Sequence, residues 1–342
     1  MRAFFNNKNS NKPLRNNYTL VDSNKTFFYA ILLSPIVSIL STILFIILSA
    51  IAEKDIMSTR FGGYYSVVIM GISYLMLFFI FNKKNNIKPM ADLGLKNKFN
   101  VWHFLISLIF GAACIFLLAP IVNLLFHMFG VVGSPVPYEM NSWYSVVLGI
   151  LGYAILPAFA EELVFRGIIQ SGAQKRFTPA LAITFSAVCF TLMHGSIQQT
   201  FYQFILGFVA AMLFYFGKNI LYPITFHLLN NLLVVIFELV GMPAYMTEGY
   251  FDYSTAWGIF APILIALAFI GLFVGLYFIL RLINKKSSNN IEFIVEGDNI
   301  IYEESKKLGF KNFITNQTLE EKTYFYMSFV VAIVIWISNS IS

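Results

Sequence analysis

The chain contains 342 residues, of which 58% are hydrophobic and only 12% charged, and its mean hydropathy is +0.72. Soluble domains carry about 25% charged residues, so this composition excludes an ordinary soluble protein and predicts a polytopic membrane protein. The two cysteines lie in apolar runs without metal-type spacing, and we interpret them as reduced packing residues.

Apolar runs long enough to cross a bilayer as helices recur along the whole chain. They predict an all-α, polytopic transmembrane helix bundle with about eight to nine spans, and no cleavable signal precedes the first of them. The fifth run is short, and the fourth contains charged residues. The candidate spans are 27–52, 62–82, 101–129, 143–166, 180–195, 200–217, 220–241, 257–282 and 323–339.

The basic residues indicate how these spans are oriented. With nine spans and a cytoplasmic N-terminus, 21 of the 23 Lys and Arg residues fall on the cytoplasmic side, and only Lys54 and Arg60 fall on the other. Cytoplasmic loops carry an excess of Lys and Arg, so membrane topology explains the net charge of +6. We therefore predict the lipid bilayer, and no nucleic acid, as the partner of these charges.

The same pattern divides the chain into segments. The apolar runs 291–295 and 300–302 indicate a small hairpin within an otherwise polar loop, and the Asn- and Lys-rich N-terminal tail is typical of disorder. The predicted segments are a cytoplasmic polar tail (1–25), two N-terminal spans (26–89), a core (90–241), an additional span (242–283), a cytoplasmic polar loop (284–322) and a C-terminal span (323–342).

The fourth span contains charges that are expensive to bury, in the pattern Glu161-Glu162-x-x-x-Arg166. Glu162 and Arg166 are four residues apart, on one helical face, and this spacing predicts an ion pair. Glu161 is turned about 100° away from Glu162. The spacing thus suggests a braced carboxylate and a free one that acts as a base, with a Glu–Arg pair that anchors the helix at the membrane edge as the less favoured alternative.

Two further patterns place polar residues at helical spacing, Phe190-x-x-x-His194 in the fifth span and His227-x-x-x-Asn231 in the seventh. Each pattern alone could be explained by a polar side chain that forms a hydrogen bond between helices. Together with Glu161 they form a set in spans four, five and seven that favours a functional site. The remaining histidines, His103 and His127, flank the third span near its ends, where an amphipathic ring is readily accommodated, and we interpret them as structural.

This set of side chains is suited to hydrolysis. A desolvated carboxylate is a stronger base, and with a histidine beside it Glu161 can deprotonate a water molecule. A second histidine and an asparagine amide can donate hydrogen bonds to the resulting oxyanion. The same glutamate and histidines could instead hold a divalent metal that activates the water. The sequence contains no HExxH, GxSxG or Gly-rich phosphate loop.

The three patterns, in this order, resemble the motifs of the CAAX-protease and bacteriocin-processing (CPBP, or Abi) family, which includes the type II CAAX prenyl endopeptidases. Residues 204–231 and 92–100 resemble neighbouring parts of that family, and the resemblance covers roughly residues 90–241. It implies an all-α intramembrane protease.

By the family's pattern, Glu161 activates water with His194, while His227 and Asn231 stabilise the oxyanion. The supporting residues would be Glu162, Arg166 and Phe190. The family is often described as metalloproteases, and a metal-free glutamate mechanism is also argued for it. If a metal such as zinc is present, its ligands would be Glu161, His194 and His227.

The leading hypothesis is an intramembrane endopeptidase that cuts small or membrane-associated peptides or proteins, in the plasma membrane of a bacterium. The alternative is a non-catalytic membrane scaffold or bacteriocin-immunity protein that retains the fold. A transporter with a proton relay would favour inverted repeats, and the sequence shows none.

The predicted spans place the site residues at different depths. Glu161 would lie near the inner end of span four, and His194 about 22 Å along span five, beyond the bilayer centre. We therefore expect irregular backbone between Gly167 and Pro179, or a tilted fifth span.

Overall fold

The computed structural model describes residues 15, 17–53, 60–129, 142–240, 251–288, 308–310, 312–313 and 315–341. These residues form nine helices and no strand, and the predicted all-α polytopic bundle is confirmed. Seven helices are long and apolar enough to cross a membrane, and α5 and α7 are shorter apolar helices. The helices are α1 Leu20–Ala52, α2 Arg60–Lys84, α3 Val101–Phe129, α4 Trp143–Arg176, α5 Pro179–His194, α6 Ile197–Gly217, α7 Leu221–Leu239, α8 Ala256–Ser288 and α9 Leu319–Ile341.

Contacts at one end of the bundle join the starts of odd-numbered helices to the ends of even-numbered ones. Lys175, at the end of α4, lies 3.2 Å from the carboxylate of Asp92, in the connection between α2 and α3. The side-chain amide of Asn24 donates to the carbonyl of Glu321, so the starts of α1 and α9 lie together. This end carries the residues that the sequence places in the cytoplasm.

The opposite end shows the complementary contacts. The ring of His127, near the end of α3, stacks on Tyr253, just before α8, with centroids 4.5 Å apart. Asn339, near the end of α9, donates to the carbonyl of Gly195 in the turn between α5 and α6. Both ends therefore fit helices that alternate in direction, as nine successive spans require.

Helix α1 begins at Leu20, earlier than the predicted start near residue 27. Thr19 caps it: its hydroxyl accepts from the backbone N–H of Asp22, whose carboxylate accepts from the N–H of Thr19. Arg15 binds the same carboxylate through two hydrogen bonds of 2.8 and 3.0 Å. Hydropathy misses this first turn because its residues are polar. Residues 1–14 and 16 of the predicted tail lie outside the described residues.

Helix α4 is the central helix and packs against α1, α2, α5, α6 and α7. It ends at Arg176, ten residues beyond the predicted end of span four, and contains two π-helical segments, Ile150–Ile155 and Leu163–Gln170. Every residue from Val164 to Gln170 is buried. Such π-turns are frequent at functional sites.

The length of α4 removes the predicted difference in depth. Both Glu161, measured back from Arg176, and His194, measured from Pro179, lie about 20 Å from the same end of the bundle at about 1.5 Å per residue. Between residues 167 and 176 the chain is helical, and only Phe177 and Thr178 form the turn to α5. The expected irregular backbone is thus confined to the π-helical segment, and the chain does not dip into the bundle.

The outward faces of α1 and α8 are aliphatic and exposed, for example at Ile39, Leu40, Leu264 and Leu267. Exposed apolar surface of this extent indicates contact with lipid chains.

The chain after α8 returns to the turn between α4 and α5. The N–H of Leu308 donates to the carbonyl of Arg176, and the N–H of Thr178 donates to that of Leu308, both at 2.9 Å. The two apolar runs of the predicted hairpin, 291–295 and 300–302, lie outside the described residues.

Candidate active site

The carboxylate of Glu162 is fully buried and is bound from two helices. Arg166 Nη1 donates to its Oε1 at 2.8 Å, so the ion pair predicted from the spacing is present. His227 Nδ1, on α7, donates to the same oxygen, also at 2.8 Å. A buried charge requires such partners, because its desolvation is otherwise uncompensated. The second partner was not predicted.

Arg166 joins α4 to two further helices. Its Nη2 donates to the carbonyl of Gly207, on α6, at 2.8 Å, and its guanidinium lies 4.6 Å from the ring centroid of Phe190, on α5. Gly207 also allows α6 to pack closely on α5, because a Cβ there would lie only 3.3 Å from Cα of Ala187. Arg166 was counted among the cytoplasmic basic residues, and this assignment was wrong: it is fully buried and belongs to the site.

The ring of Phe190 is the common contact of the site. Its centroid lies 4.8 Å from that of His194 and 5.9 Å from that of His227. Together with Arg166, two histidines therefore surround one aromatic ring. The motif residues of α4, α5 and α7, far apart in sequence, are brought together in this way.

Both histidines have one ring nitrogen fixed. His194 Nδ1 lies 2.8 Å from the carbonyl oxygen of Phe190. A carbonyl only accepts, so this nitrogen carries a hydrogen, and Nε2 of the neutral ring carries the lone pair. His227 Nδ1 donates to the carboxylate of Glu162, so Nε2 is the ring nitrogen that can contact a substrate.

Glu161 has a different environment from its neighbour. Its side chain is partly exposed, whereas Glu162 is buried. The carboxylate interacts electrostatically with His227, Glu162 and Arg166, and no hydrogen bond among the described residues engages it. The two adjacent carboxylates are therefore a braced one and an available one.

Asn231 is held by two residues that the sequence did not single out. Its Oδ1 accepts from Asn230 Nδ2 at 3.1 Å, and Asn230 Oδ1 accepts from the hydroxyl of Tyr202, on α6, at 2.6 Å. Asn230 is buried. In the sequence, only its position beside Asn231 could have indicated a role for Asn230. Tyr202 could not be found in this way, because its contact with Asn230 joins two different helices.

The remaining histidines lie against aromatic rings. The ring of His103 is 5.3 Å from that of Tyr222, and His127 stacks on Tyr253. No contact of either with Glu162 or Phe190 is found among the described residues, and both ring nitrogens of His103 are buried without a hydrogen-bond partner there.

A metal requires at least three donors that converge. Within the described part of the chain, no group of three or more His, Cys, Asp or Glu side chains is arranged to hold one. Glu161, His194 and His227 therefore do not fit the three-ligand zinc site that the resemblance allows, and we derive no step through a metal.

Fold and site together define a multi-pass membrane protein with a buried cluster of glutamate, histidine and arginine. Residues 142–233 match the sequence model of a family described as "Type II CAAX prenyl endopeptidase Rce1-like". This stretch contains all seven predicted site residues. The resemblance to the CAAX-protease family is thus confirmed over the part of the chain that contains the site.

A curated relative comes from Bacillus subtilis (strain 168) and is named "Putative membrane peptidase YdiL". It is 30% identical over 104 residues, which are 30% of this chain and 43% of the relative. No solved structure matches the chain significantly. The comparisons and the seven apolar helices support a multi-pass protein of a bacterial plasma membrane that is similar, over residues 142–233, to a family of membrane endopeptidases.

Proposed function

We propose that the chain is an intramembrane endopeptidase in which Glu161 is the general base. The observation that carries this proposal is the division between the two neighbouring carboxylates. Glu162 is fully buried, its Oε1 accepts from Arg166 and His227, and its Oε2 has no partner among the described residues, whereas Glu161 is partly exposed and has no hydrogen bond among them. A base must be reached by water to accept its proton, and the partly exposed Glu161 meets this condition better than Glu162, which is fully buried and paired with Arg166.

The proposed reaction begins with a water molecule between Glu161 and His194. Nε2 of His194 accepts a hydrogen bond from the water, and Glu161 takes its proton as the oxygen attacks the peptide carbonyl carbon. The tetrahedral oxyanion then collapses, the C–N bond breaks, and Glu161 returns the proton to the leaving nitrogen. The second water proton then passes from the new carboxylic acid to the amine, so the products are a carboxylate and an ammonium group and no other reactant is needed.

The oxyanion is stabilised by His227 and Asn231. As an imidazolium, His227 donates from Nδ1 to Glu162 and from Nε2 to the oxyanion, and Asn231 donates from its amide. With Arg166 and His227 both positive, the charges of Glu161 and Glu162 are balanced. The site is then neutral before the reaction, which limits the cost of holding four ionised groups in an apolar bundle.

The peptidase unit is assigned to residues 90–241, and its substrates to small or membrane-associated peptides and proteins. The carboxylates lie about 20 Å from the predicted cytoplasmic end of the bundle, where a soluble folded protein cannot reach without unfolding. A segment at or within the membrane is therefore the substrate class that fits.

The test compares the membrane peptides of cells that contain the wild type, Glu161→Gln or the matched control Glu320→Gln. Glu320 is an exposed carboxylate at the start of α9 that pairs with Lys25. Mass spectrometry of peptide termini should show uncut precursors only with Glu161→Gln. Identical peptide sets in all three strains would overturn the proposal and favour a non-catalytic scaffold or immunity protein.

A further inference from the structure

The amide of Asn231 has two possible orientations, and only one serves the proposed chemistry. A side-chain amide has an oxygen that accepts and a nitrogen that donates. An oxyanion can be stabilised only by the nitrogen. Rotation of the amide by 180° would instead present its oxygen to a developing negative charge. A mechanism that uses Asn231 therefore needs a device that fixes this rotation.

Asn230 fixes it from the neighbouring position on α7. Its Nδ2 donates to Asn231 Oδ1 at 3.1 Å, which engages the oxygen of Asn231 and leaves the nitrogen to donate. This contact depends on the orientation of Asn230 itself. If the amide of Asn230 were reversed, its oxygen would face Asn231 and would select the wrong rotamer.

Tyr202 binds the other end of the Asn230 amide. Its hydroxyl donates to Asn230 Oδ1 at 2.6 Å, and in this arrangement the nitrogen of Asn230 points towards Asn231. The ring of Tyr202 packs against a small apolar cluster formed by Ile115 and Ala119 of α3, with neighbours from α7. The phenol is thus held by packing from two helices, and Asn230 is buried between it and Asn231.

We infer that Tyr202 and Asn230 are positioning residues that orient the Asn231 amide towards the oxyanion of the peptide substrate. This inference rests on the proposed function. Neither residue touches the reacting atoms, and both act through Asn231. The relay runs in one direction, from the hydroxyl of Tyr202 through both groups of the Asn230 amide to the oxygen of Asn231.

The test measures kcat and KM for full-length protein in lipid vesicles, with synthetic copies of the precursors that accumulate in Glu161→Gln cells as substrate. Tyr202→Phe and Asn230→Leu should each lower kcat about fivefold, the factor that one ordinary hydrogen bond supports, with KM unchanged. Asn231→Ala should lower kcat about 100-fold. The matched control is Tyr215→Phe, on the same helix, with kcat as in the wild type.

The decisive comparison repeats both substitutions in the Asn231→Ala background. Because the relay acts only through Asn231, Tyr202→Phe and Asn230→Leu should there have no further effect. Full kcat in the single variants, or an equal loss in both backgrounds, overturns the inference and leaves the proposed function intact. Vesicles in which wild type and Glu161→Gln are equally inactive overturn the proposed function, and the inference with it.

Discussion

At the scale of single residues, Glu162 and Arg166 position the helices around the site as well as supplying charge. Both side chains are fully buried, and Arg166 contacts α6 through Gly207 and α5 through Phe190. A buried pair of this kind adds little net stability compared with apolar packing, but removal of one member leaves the other uncompensated. Arg166 therefore fixes the geometry of the site, and its replacement should cause a large loss of stability.

Arg166→Met should destabilise the protein by about 3–5 kcal/mol, because it leaves the carboxylate of Glu162 with His227 as its main partner. The measurement is the free energy of unfolding in mixed micelles. Lys25→Met is the control: Lys25 pairs with the exposed Glu320, and such a pair contributes about 1 kcal/mol or less. Equal losses in both variants would contradict the structural role of Arg166.

Removal of metal should leave the activity unchanged. The described residues offer no convergent set of three donors. Turnover by vesicle-reconstituted protein should therefore be the same before and after dialysis with 1,10-phenanthroline. Loss of turnover that added zinc restores would refute the metal-free mechanism.

The local part of the site could be predicted from the sequence, and the tertiary part could not. The pairing of Glu162 with Arg166 follows from a spacing of four residues on one helix. The contact of Glu162 with His227 depends on how α4 packs on α7, and that of Asn230 with Tyr202 on how α7 packs on α6. No periodicity within one segment contains this information.

At the scale of elements, the packing of α1 on α4 depends on a close approach at Gly172. A Cβ at this position would lie 2.3 Å from the carbonyl oxygen of Thr19 and from the hydroxyl of Ser23. That hydroxyl also donates to the carbonyl of Ile169, at 2.7 Å. The start of α1 thus rests directly on the backbone of the helix that carries the carboxylates.

Gly172→Ala should destabilise the protein by about 1–3 kcal/mol, since the clash is with backbone and α1 must move. Gly271→Ala, on the exposed face of α8, is the matched control, because nothing lies within 4 Å of the added methyl group. Thermal unfolding in detergent should show a lower midpoint for Gly172→Ala and an unchanged midpoint for Gly271→Ala. A midpoint as in the wild type for Gly172→Ala would contradict this packing.

The helices themselves could be predicted from hydropathy, but the residues at which they begin and end were predicted less accurately. Polar residues at the start of α1 and at the end of α4 belong to helices because neighbouring segments cover them: Asp22 is bound by Arg15, and Lys175 by Asp92. A window average treats such residues as loop. The error at α4 mattered, because it created the apparent difference in depth between Glu161 and His194.

At the scale of the whole molecule, alternating helices place the two ends of the bundle on opposite sides of the membrane. The connection between α2 and α3 is basic and the segment before α8 is acidic, as the orientation with a cytoplasmic N-terminus requires. Contacts at both ends agree with this alternation.

Cysteine labelling tests the orientation. The native residues Cys114 and Cys189 are fully buried and should not react. A membrane-impermeant maleimide should label Ser254→Cys in intact cells and Lys96→Cys only in inverted vesicles, because both positions are exposed at opposite ends. The reverse pattern would show that the predicted orientation is wrong.

The central claim is that Glu161 activates water for peptide hydrolysis, and it can be measured directly. Purified protein in vesicles is supplied with an accumulated precursor in H₂¹⁸O. The wild type should cut it and place ¹⁸O in the new carboxyl terminus, and Glu161→Gln should be slower by a factor on the order of 10²–10⁴, the usual contribution of a general base. Cleavage by Glu161→Gln at the wild-type rate would contradict the account.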